Sequence, residues 1–301
     1  MGTEKRERQK AGRQARLEAA MAEQRKKEQR RRFITFGVLG VVVVGGLWAW
    51  SAFGGDDSED SADSTTTTTA TAGPPPDTSL GVINAILGLN QDDPSSGLGG
   101  APSRTVTINS VTIEETPGNS TTTAASSDFE YGTTECAPDT PPDEPVIDYD
   151  DAFQDCLDPG ATYTAVFGTT EGEIRVNLDT GTTPGTVNNF VNLARNGYYD
   201  GTEIFRTDTS IGIIQGGSPH TNDASDPGPG YTIPDEGSGF TYGPGQLVMA
   251  RTNDPNSASA QFFFVATDAA SALDGQGTYV VFGTTDDFGD AGGSTTTTAA
   301  G

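Results

Sequence analysis

Hydrophobic and polar positions divide the chain into regions of different character, and the longest apolar run comes early. Phe33–Phe53 holds 21 residues without a charge, which as a helix would span the ~30 Å hydrocarbon core of a bilayer. Arg30–Arg32 precede this run, while Trp48 and Trp50 lie near its far end. Basic residues stay on the cytoplasmic side and aromatic residues favour the interface. The pattern predicts a single transmembrane helix at 33–53, with a cytoplasmic N-terminus and the rest of the chain outside. A cleaved signal peptide is the alternative, but its apolar core is usually shorter.

The next region, 54–134, is dominated by Thr, Ser, Gly, Pro and acidic residues. Such a composition buries too little apolar surface to offset the entropy of ordering the chain. We therefore expect a flexible extracytoplasmic linker here. Two stretches inside it, Leu80–Leu89 and Thr105–Ile113, are apolar enough to order locally, and the second alternates as a strand does.

Beyond Cys156 the pattern becomes that of a folded β domain. Thr162–Phe167 is rich in β-branched and aromatic residues, and apolar residues then alternate with polar ones from Ile174 to Leu178. Together they predict a β-hairpin with one buried face. Short strands separated by Gly/Pro/Asn/Asp-rich loops are also predicted at Ile211–Gln215, Gln246–Ala250, Gln261–Ala266 and Tyr279–Gly283. Several short strands and one early helix favour a compact β-barrel with helical plugs.

That helix has clear start and stop signals. Thr183 is a candidate N-cap, Pro184 suits the first helical position and Gly197 suits the exit. Val187, Phe190, Val191 and Ala194 recur at helical spacing. The sequence therefore predicts an amphipathic helix with one apolar face directed at the sheet.

The net charge of −25 is the sum of two regions of opposite charge. Residues 1–32 carry 12 basic and five acidic residues, whereas the remainder carries five basic and 37 acidic ones. We expect 1–32 to be a basic segment at the anionic cytoplasmic membrane face. The acidic remainder argues against nucleic-acid binding, because phosphates must be met by clustered cations.

Cys136 and Cys156 are the only cysteines and lie in the segment 135–160, which leads into the β domain. In an oxidising compartment they would form a disulfide across a 20-residue loop, worth ~3 kcal/mol in the chain-entropy model. A reactive or metal-binding thiol pair is the alternative, but neither cysteine has a histidine near it in sequence.

Six blocks of sequence occur in an order that resembles the cyclophilin family of peptidyl-prolyl cis-trans isomerases. They are Thr169–Arg206, Ile213–Pro219 (IIQGGSP), Gly228–Glu236, Leu247–Arg251, Ala260–Val265 (AQFFFV) and Leu273–Gly283 (LDGQGTYVVFG). The resemblance implies a closed eight-stranded antiparallel barrel with a capping helix, spanning 161–284, with the proline-binding groove on its outer surface.

The family normally adds a second helix and a closing strand after Val281–Gly283. Here 18 polar, Gly-rich residues follow Gly283, and 285–301 reads as a flexible tail. We therefore expect both elements to be missing from this end, which would leave an open sheet edge. Thr105–Ile113 or a partner chain could cover that edge.

The resemblance also assigns site residues. Arg206 matches the catalytic arginine, although Ile204-Phe205 stands where most members have Phe-His. Substrate-binding positions are matched by Gln215 of the Q-G-G motif, Ile213 in place of a pocket methionine, Phe263, Leu273, Arg251 in place of an asparagine, and Tyr279 in place of a pocket histidine.

Prolyl isomerisation makes and breaks no covalent bond, so we expect no metal and no cofactor. The barrier of ~20 kcal/mol comes from amide resonance, and a cation that bonds the twisted amide nitrogen would lower it. The sequence thus predicts an isomerase acting on proline-containing segments of secreted or cell-envelope proteins. A catalytically weak module that binds such segments, and a purely structural envelope protein, are the alternatives. The solitary His220 is expected to be solvent-exposed.

Overall fold

A computed structural model describes residues 76–93, 95, 98–118, 129–138 and 140–287. The predicted basic segment 1–32, the predicted transmembrane helix 33–53 and the tail from 288 onward lie outside these ranges. Among the residues that are described, no helix has the length and apolar character needed to cross a membrane.

One antiparallel sheet and two α-helices form the described part of the chain. The elements in order are α1 (Ser79–Leu87), β1 (Asn90–Asp92), β2 (Gly100–Pro102), β3 (Thr107–Thr116), β4 (Thr162–Thr169), β5 (Gly172–Leu178), α2 (Pro184–Arg195), β6 (Thr202–Glu203), β7 (Arg206–Asp208), β8 (Ile213–Gly216), β9 (Gln246–Met249), β10 (Phe262–Val265), a 3₁₀ helix (Asp268–Leu273) and β11 (Val281–Thr285). The hairpin β4–β5 and the helix α2 confirm the elements predicted there.

The sheet differs from the closed eight-stranded barrel that was expected. Within the described ranges it has eleven strands in the order β1-β2-β7-β8-β10-β9-β11-β5-β4-β3-β6, so its hydrogen-bonded order has two ends. The two residues between β6 and β7 interrupt the ladder: the Ile204 N–H donates to Val106 (2.9 Å), and the Phe205 N–H donates to Gln215 (3.0 Å). One short stretch therefore lies between β3 on one side and β8 on the other.

The prediction of a flexible linker over 54–134 is wrong at α1 and β1–β3, and the two stretches expected to order locally, Leu80–Leu89 and Thr105–Ile113, largely coincide with α1 and β3. Helix α1 begins after Thr78, whose hydroxyl accepts the Gly81 N–H (3.1 Å), and it buries Val82, Ile83, Ile86 and Leu87 in the core shared with the sheet. Strand β3 pairs with β4 from Ile108↔Thr169 to Thr116↔Thr162. The folded domain thus starts well before residue 161, because tertiary packing orders two short apolar segments embedded in polar sequence.

Strand β3 covers the edge of β4, as the hypothesis for Thr105–Ile113 anticipated. Helix α1 in turn starts where the chain leaves β11. The Ser79 hydroxyl donates to Asp286 (2.9 Å), and the Leu80 N–H donates to Asp287 (2.9 Å). The helix and strand expected after β11 therefore have counterparts supplied from upstream.

Helix α2 packs against the sheet, but its N-terminus is capped differently from the prediction. Thr183 makes no side-chain capping bond. The Glu236 carboxylate instead accepts the N–H groups of Gly185 (3.0 Å) and Thr186 (2.8 Å), together with the Thr186 hydroxyl (2.9 Å). A carboxylate at this end of a helix satisfies free backbone donors and complements the helix dipole.

The lead-in segment 135–160 lies along α2. Cys136 and Cys156 form a disulfide with a Cα–Cα distance of 5.5 Å. On either side of it, the Cys156 N–H donates to the Asn188 side chain and the Ala137 N–H to the Asn192 side chain, each at 2.8 Å. The disulfide therefore joins two stretches of the lead-in segment, and each stretch is hydrogen-bonded to an asparagine side chain of α2.

Candidate active site

A groove of about 530 Å³ runs over the outer face of the sheet. Successive strand residues point to opposite faces, so Phe262 and Phe264 belong to the interior core while Phe263 and Val265 belong to a separate apolar cluster outside. The structure brings all seven predicted site residues to this groove: Arg206, Ile213, Gln215, Arg251, Phe263, Leu273 and Tyr279.

The apolar end of the groove is built around Phe263, which is 3% exposed. The Tyr279 ring stands edge-on to Phe263 with centroids 5.7 Å apart. Tyr279 is itself fixed through its backbone: the Tyr242 hydroxyl donates to the Tyr279 carbonyl (3.0 Å) and accepts its N–H (2.9 Å). Ile213 and Leu273 belong to the same cluster. The result is an aromatic and aliphatic wall at one end of the groove.

Arg206 lies in β7 directly opposite Gln215 of β8, which in turn lies opposite Phe263 of β10. The ladder therefore places the cation one strand away from the glutamine and two strands away from the aromatic wall. Neighbouring strands are ~4.8 Å apart, so an amide bound across this row can touch all three side chains. Gln215 is also tied to the far side of the groove, since its amide donates to the side chain of Gln261 (3.0 Å).

The Arg206 guanidinium is held by three acceptors. Its Nε–H donates to the carbonyl of Leu98, Nη1 donates to the Gln215 side chain (2.9 Å), and Nη2 donates to Asp208 (2.8 Å). The Arg206 side chain is 18% exposed and that of Asp208 is 8% exposed. The cation is thus fixed at the rim of the groove and remains reachable from solvent.

Asp208 is ionised in this arrangement. Burial raises the pKa of its carboxyl, but hydrogen bonds from Ser210 and Arg206 outweigh burial and hold the pKa below its usual range. Ser210 contributes both its N–H (3.1 Å) and its hydroxyl (2.6 Å). A carboxylate therefore accompanies the arginine over the ordinary pH range.

Arg251 reaches the groove but is occupied by a second carboxylate. Its guanidinium pairs with Asp235, and its side chain is 10% exposed. The buried Nε–H of Arg251 has no acceptor among the described residues. This side chain braces the loop before β9, while a substrate contact through the Arg251 backbone stays a prediction.

Two partners of Arg206, Asp208 and Leu98, were not identified from the sequence. Asp208 could have been found, since it follows Arg206 by two positions and strand periodicity places both on one face. Leu98 could not, because it lies 108 positions upstream of Arg206 in a stretch of linker-like composition. Within the described ranges no cluster of His, Cys, Asp and Glu could hold a metal ion. His220 is exposed and lies 3.2 Å from both Asp148 and Asp226.

Comparisons with known proteins show which family the sequence resembles. The sequence profile described as cyclophilin type peptidyl-prolyl cis-trans isomerase/CLD matches residues 164–290. A peptidyl-prolyl cis-trans isomerase of Synechococcus elongatus is 36% identical over 123 residues, which cover 41% of this chain and 80% of the relative. The isomerase cyp18 of Streptomyces antibioticus is 39% identical over 112 residues, covering 36% of this chain and 64% of the relative. A probable isomerase B of Mycobacterium leprae is 32% identical over 41% of this chain and 45% of its own length.

Among solved structures, a Cryptosporidium parvum cyclophilin type isomerase determined in the presence of the dipeptide Ala-Pro is 30% identical. It covers 40% of this chain and 77% of its own, with a TM-score of 0.35. The profile match begins at residue 164, so helix α1 and strand β3 lie outside it. With four-fifths of the Synechococcus relative covered at 36% identity, this chain belongs to the cyclophilin family of peptidyl-prolyl cis-trans isomerases.

Proposed function

We propose that this isomerase acts on X-Pro bonds of secreted or cell-envelope proteins, with Arg206 as the catalytic residue. The protein would be held at the membrane by residues 33–53, with 1–32 in the cytoplasm and the groove outside. Its substrates would be proline-containing polypeptides, and it would need no cofactor.

Rotation about an X-Pro bond removes the resonance that keeps the amide planar. In the twisted state the proline nitrogen regains a lone pair and can accept a hydrogen bond. A guanidinium that donates to this nitrogen stabilises the twisted state more than either planar state, and only such differential binding accelerates the reaction. The wall of Phe263, Ile213 and Leu273 would hold the ring while the preceding carbonyl swings.

The observation that carries this proposal is the fixed guanidinium at the rim of an apolar wall. An arginine has five N–H donors in a planar fork. Protein acceptors occupy one donor on each nitrogen of Arg206, so within the described part of the chain Nη1 and Nη2 each keep one N–H for a substrate. Gln215 lies between Arg206 and Phe263 in the strand ladder and accepts a hydrogen bond from the guanidinium. This arrangement supports a role for Gln215 in orienting Arg206.

The decisive variant is Arg206→Ala, assayed in the full chain with a chromogenic proline-containing tetrapeptide. We expect kcat/KM to fall by about a hundredfold or more, the usual cost of losing one group that stabilises developing charge. Arg104→Ala is the matched control, since Arg104 is an exposed arginine paired with Glu171 and removed from the groove. If both variants keep wild-type activity, Arg206 is not the catalytic group.

The membrane location is supported by features other than the fold. The uncharged run of 33–53 follows three arginines, and no lysine occurs after residue 32. A disulfide between Cys136 and Cys156 suits an oxidising, extracytoplasmic compartment. Alkaline phosphatase fused after residue 60 should be active and green fluorescent protein at the same position dark. The reverse pattern would place the domain in the cytoplasm.

The alternative of a weak binding module is favoured by one observation. Asp208 offsets the charge of Arg206, and an offset cation stabilises developing charge less strongly. A wild-type chain that binds a proline peptide but accelerates its isomerisation no more than Arg206→Ala does would assign it this role.

A further inference from the structure

We propose that Asp208 and the backbone carbonyl of Leu98 are positioning groups that aim the Arg206 guanidinium across the groove. The hairpin β1–β2, which the sequence suggests is spacer, is then part of the active site. This inference rests on the proposed role of Arg206 and adds the groups that make its orientation unique.

An arginine side chain has many rotamers, and fixing one of them costs conformational entropy. A catalytic cation is effective only when it is already oriented as the substrate twists. Gln215 alone would leave the fork free to swing about one hydrogen bond. Acceptors on Nε and Nη2, supplied by Leu98 and Asp208, leave the guanidinium a single orientation in its own plane.

Asp208 is itself immobilised, as a positioning group must be. One of its carboxylate oxygens accepts both bonds from Ser210, and the other accepts from Arg206. The neighbouring Thr207 is fully buried, and its hydroxyl donates to the side chain of Asn90 in β1 (2.7 Å). Strand β7 is therefore tied to the upstream hairpin at the point where the arginine emerges.

Gly99, which directly precedes β2, packs against Asp208. Gly99 adopts a φ of +82°, and a Cβ at this position would lie 2.7 Å from Cβ of Asp208 and 2.6 Å from the carbonyl oxygen of Thr207. Only glycine permits this approach. The adjacent Gly100 pairs with Thr207, and the same approach brings the Leu98 carbonyl within reach of Arg206. The orientation of Arg206 therefore depends on the docking of the hairpin against β7.

The experiment compares Asp208→Asn and Gly99→Ala with wild type in the full chain. We expect each variant to lower kcat about ten- to a hundredfold, the range associated with a small misplacement of a catalytic group, while the Kd of a proline peptide changes less than twofold because the apolar wall is untouched. In ¹⁵N spectra the Nε–H signal of Arg206, identified by its absence in Arg206→Ala, should weaken in Gly99→Ala as its acceptor withdraws. Gly201→Ala is the matched control, since Gly201 has a φ of +76° and a Cβ added there would meet no atom within 4 Å, and its kcat should match wild type.

The possible outcomes distinguish the positioning role of Asp208 and Leu98 from the catalytic role of Arg206. If Arg206→Ala is inactive while Asp208→Asn and Gly99→Ala keep wild-type kcat, the positioning role is wrong and the catalytic role of Arg206 stands. If Arg206→Ala is active, the proposed function itself fails. If the two variants lose peptide affinity and melting temperature together, the residues are structural and the inference is overturned.

Discussion

Replacing Ile83 by alanine tests whether the segment upstream of the barrel is part of the fold. Ile83 lies in α1 and is completely buried in the core that α1 shares with the sheet. If 76–116 were a spacer, as its composition suggests, this substitution would leave stability unchanged. If α1 closes the core as the structure shows, the substitution creates a cavity between helix and sheet.

The size of the effect follows from burial. Truncating a fully buried isoleucine to alanine costs ~2–5 kcal/mol, the sum of lost transfer free energy and the cavity left behind. For a domain of about 200 residues each kcal/mol lowers Tm by ~2–4 °C, so the expected decrease is about 5–15 °C. Asn84→Ala is the matched control, because Asn84 is the exposed neighbour of Ile83 in the same helix. Surface substitutions of this kind stay within about 0.5 kcal/mol.

The assay is thermal and urea unfolding of the full chain followed by far-UV circular dichroism. Both tryptophans lie at 48 and 50, upstream of the domain that begins near residue 76, so tryptophan fluorescence would not report the transition. Equal melting temperatures for Ile83→Ala and Asn84→Ala would refute the packing of α1. A decrease confined to Ile83→Ala would establish that the domain begins near residue 76, and that a fragment beginning at residue 135 lacks part of its core.

Three further predictions concern stability. Replacing Cys136 and Cys156 together by serine should cost ~3 kcal/mol by releasing a 20-residue loop; reductant should lower the Tm of wild type but not of this variant. Glu236→Gln should cost ~1–2 kcal/mol, since it weakens the carboxylate cap of α2, and urea titration measures this. The depressed pKa of Asp208 adds stability that is present above its unfolded pKa of about 3.9 and is lost as the pH falls through its folded pKa. Asp208→Asn should therefore be less stable than wild type at pH 7, and the difference should shrink as the pH falls through the folded pKa; a difference independent of pH would contradict this.

The local sequence pattern was sufficient to predict a helix or strand where that element had its own apolar periodicity. The alternation from Ile174 to Leu178 indicated the second strand of the hairpin β4–β5, and the apolar spacing after Pro184 indicated α2. The run Phe262–Phe264 is apolar at every position, and periodicity alone could not tell which ring faces the groove. The structure turns Phe263 outward because its neighbours on both sides fill the interior core.

Sequence reasoning failed where a group's partner lies far away along the chain. Thr183 has the right chemistry for a cap, but Glu236 reaches the same donors from 50 residues downstream. Arg251 was assigned to the substrate through its backbone, and nothing in the local sequence indicated that Asp235 would bind its guanidinium. No local signal distinguishes a residue that caps or pairs from one that is merely able to, because the choice depends on which loop packs closer.

The spacer assignment of 54–134 is wrong for the same reason: α1 and β3, which were expected only to order locally, are ordered by residues far along the chain. Helix α1 begins beside the end of β11, with Ser79 bonded to Asp286, and β3 covers the edge of β4. The segment upstream of β4 also contributes to the site, because the hairpin β1–β2, which joins α1 to β3, places the Leu98 carbonyl beside Arg206. The chain therefore passes through α1 and the hairpin β1–β2 before it reaches β7, the strand that carries Arg206.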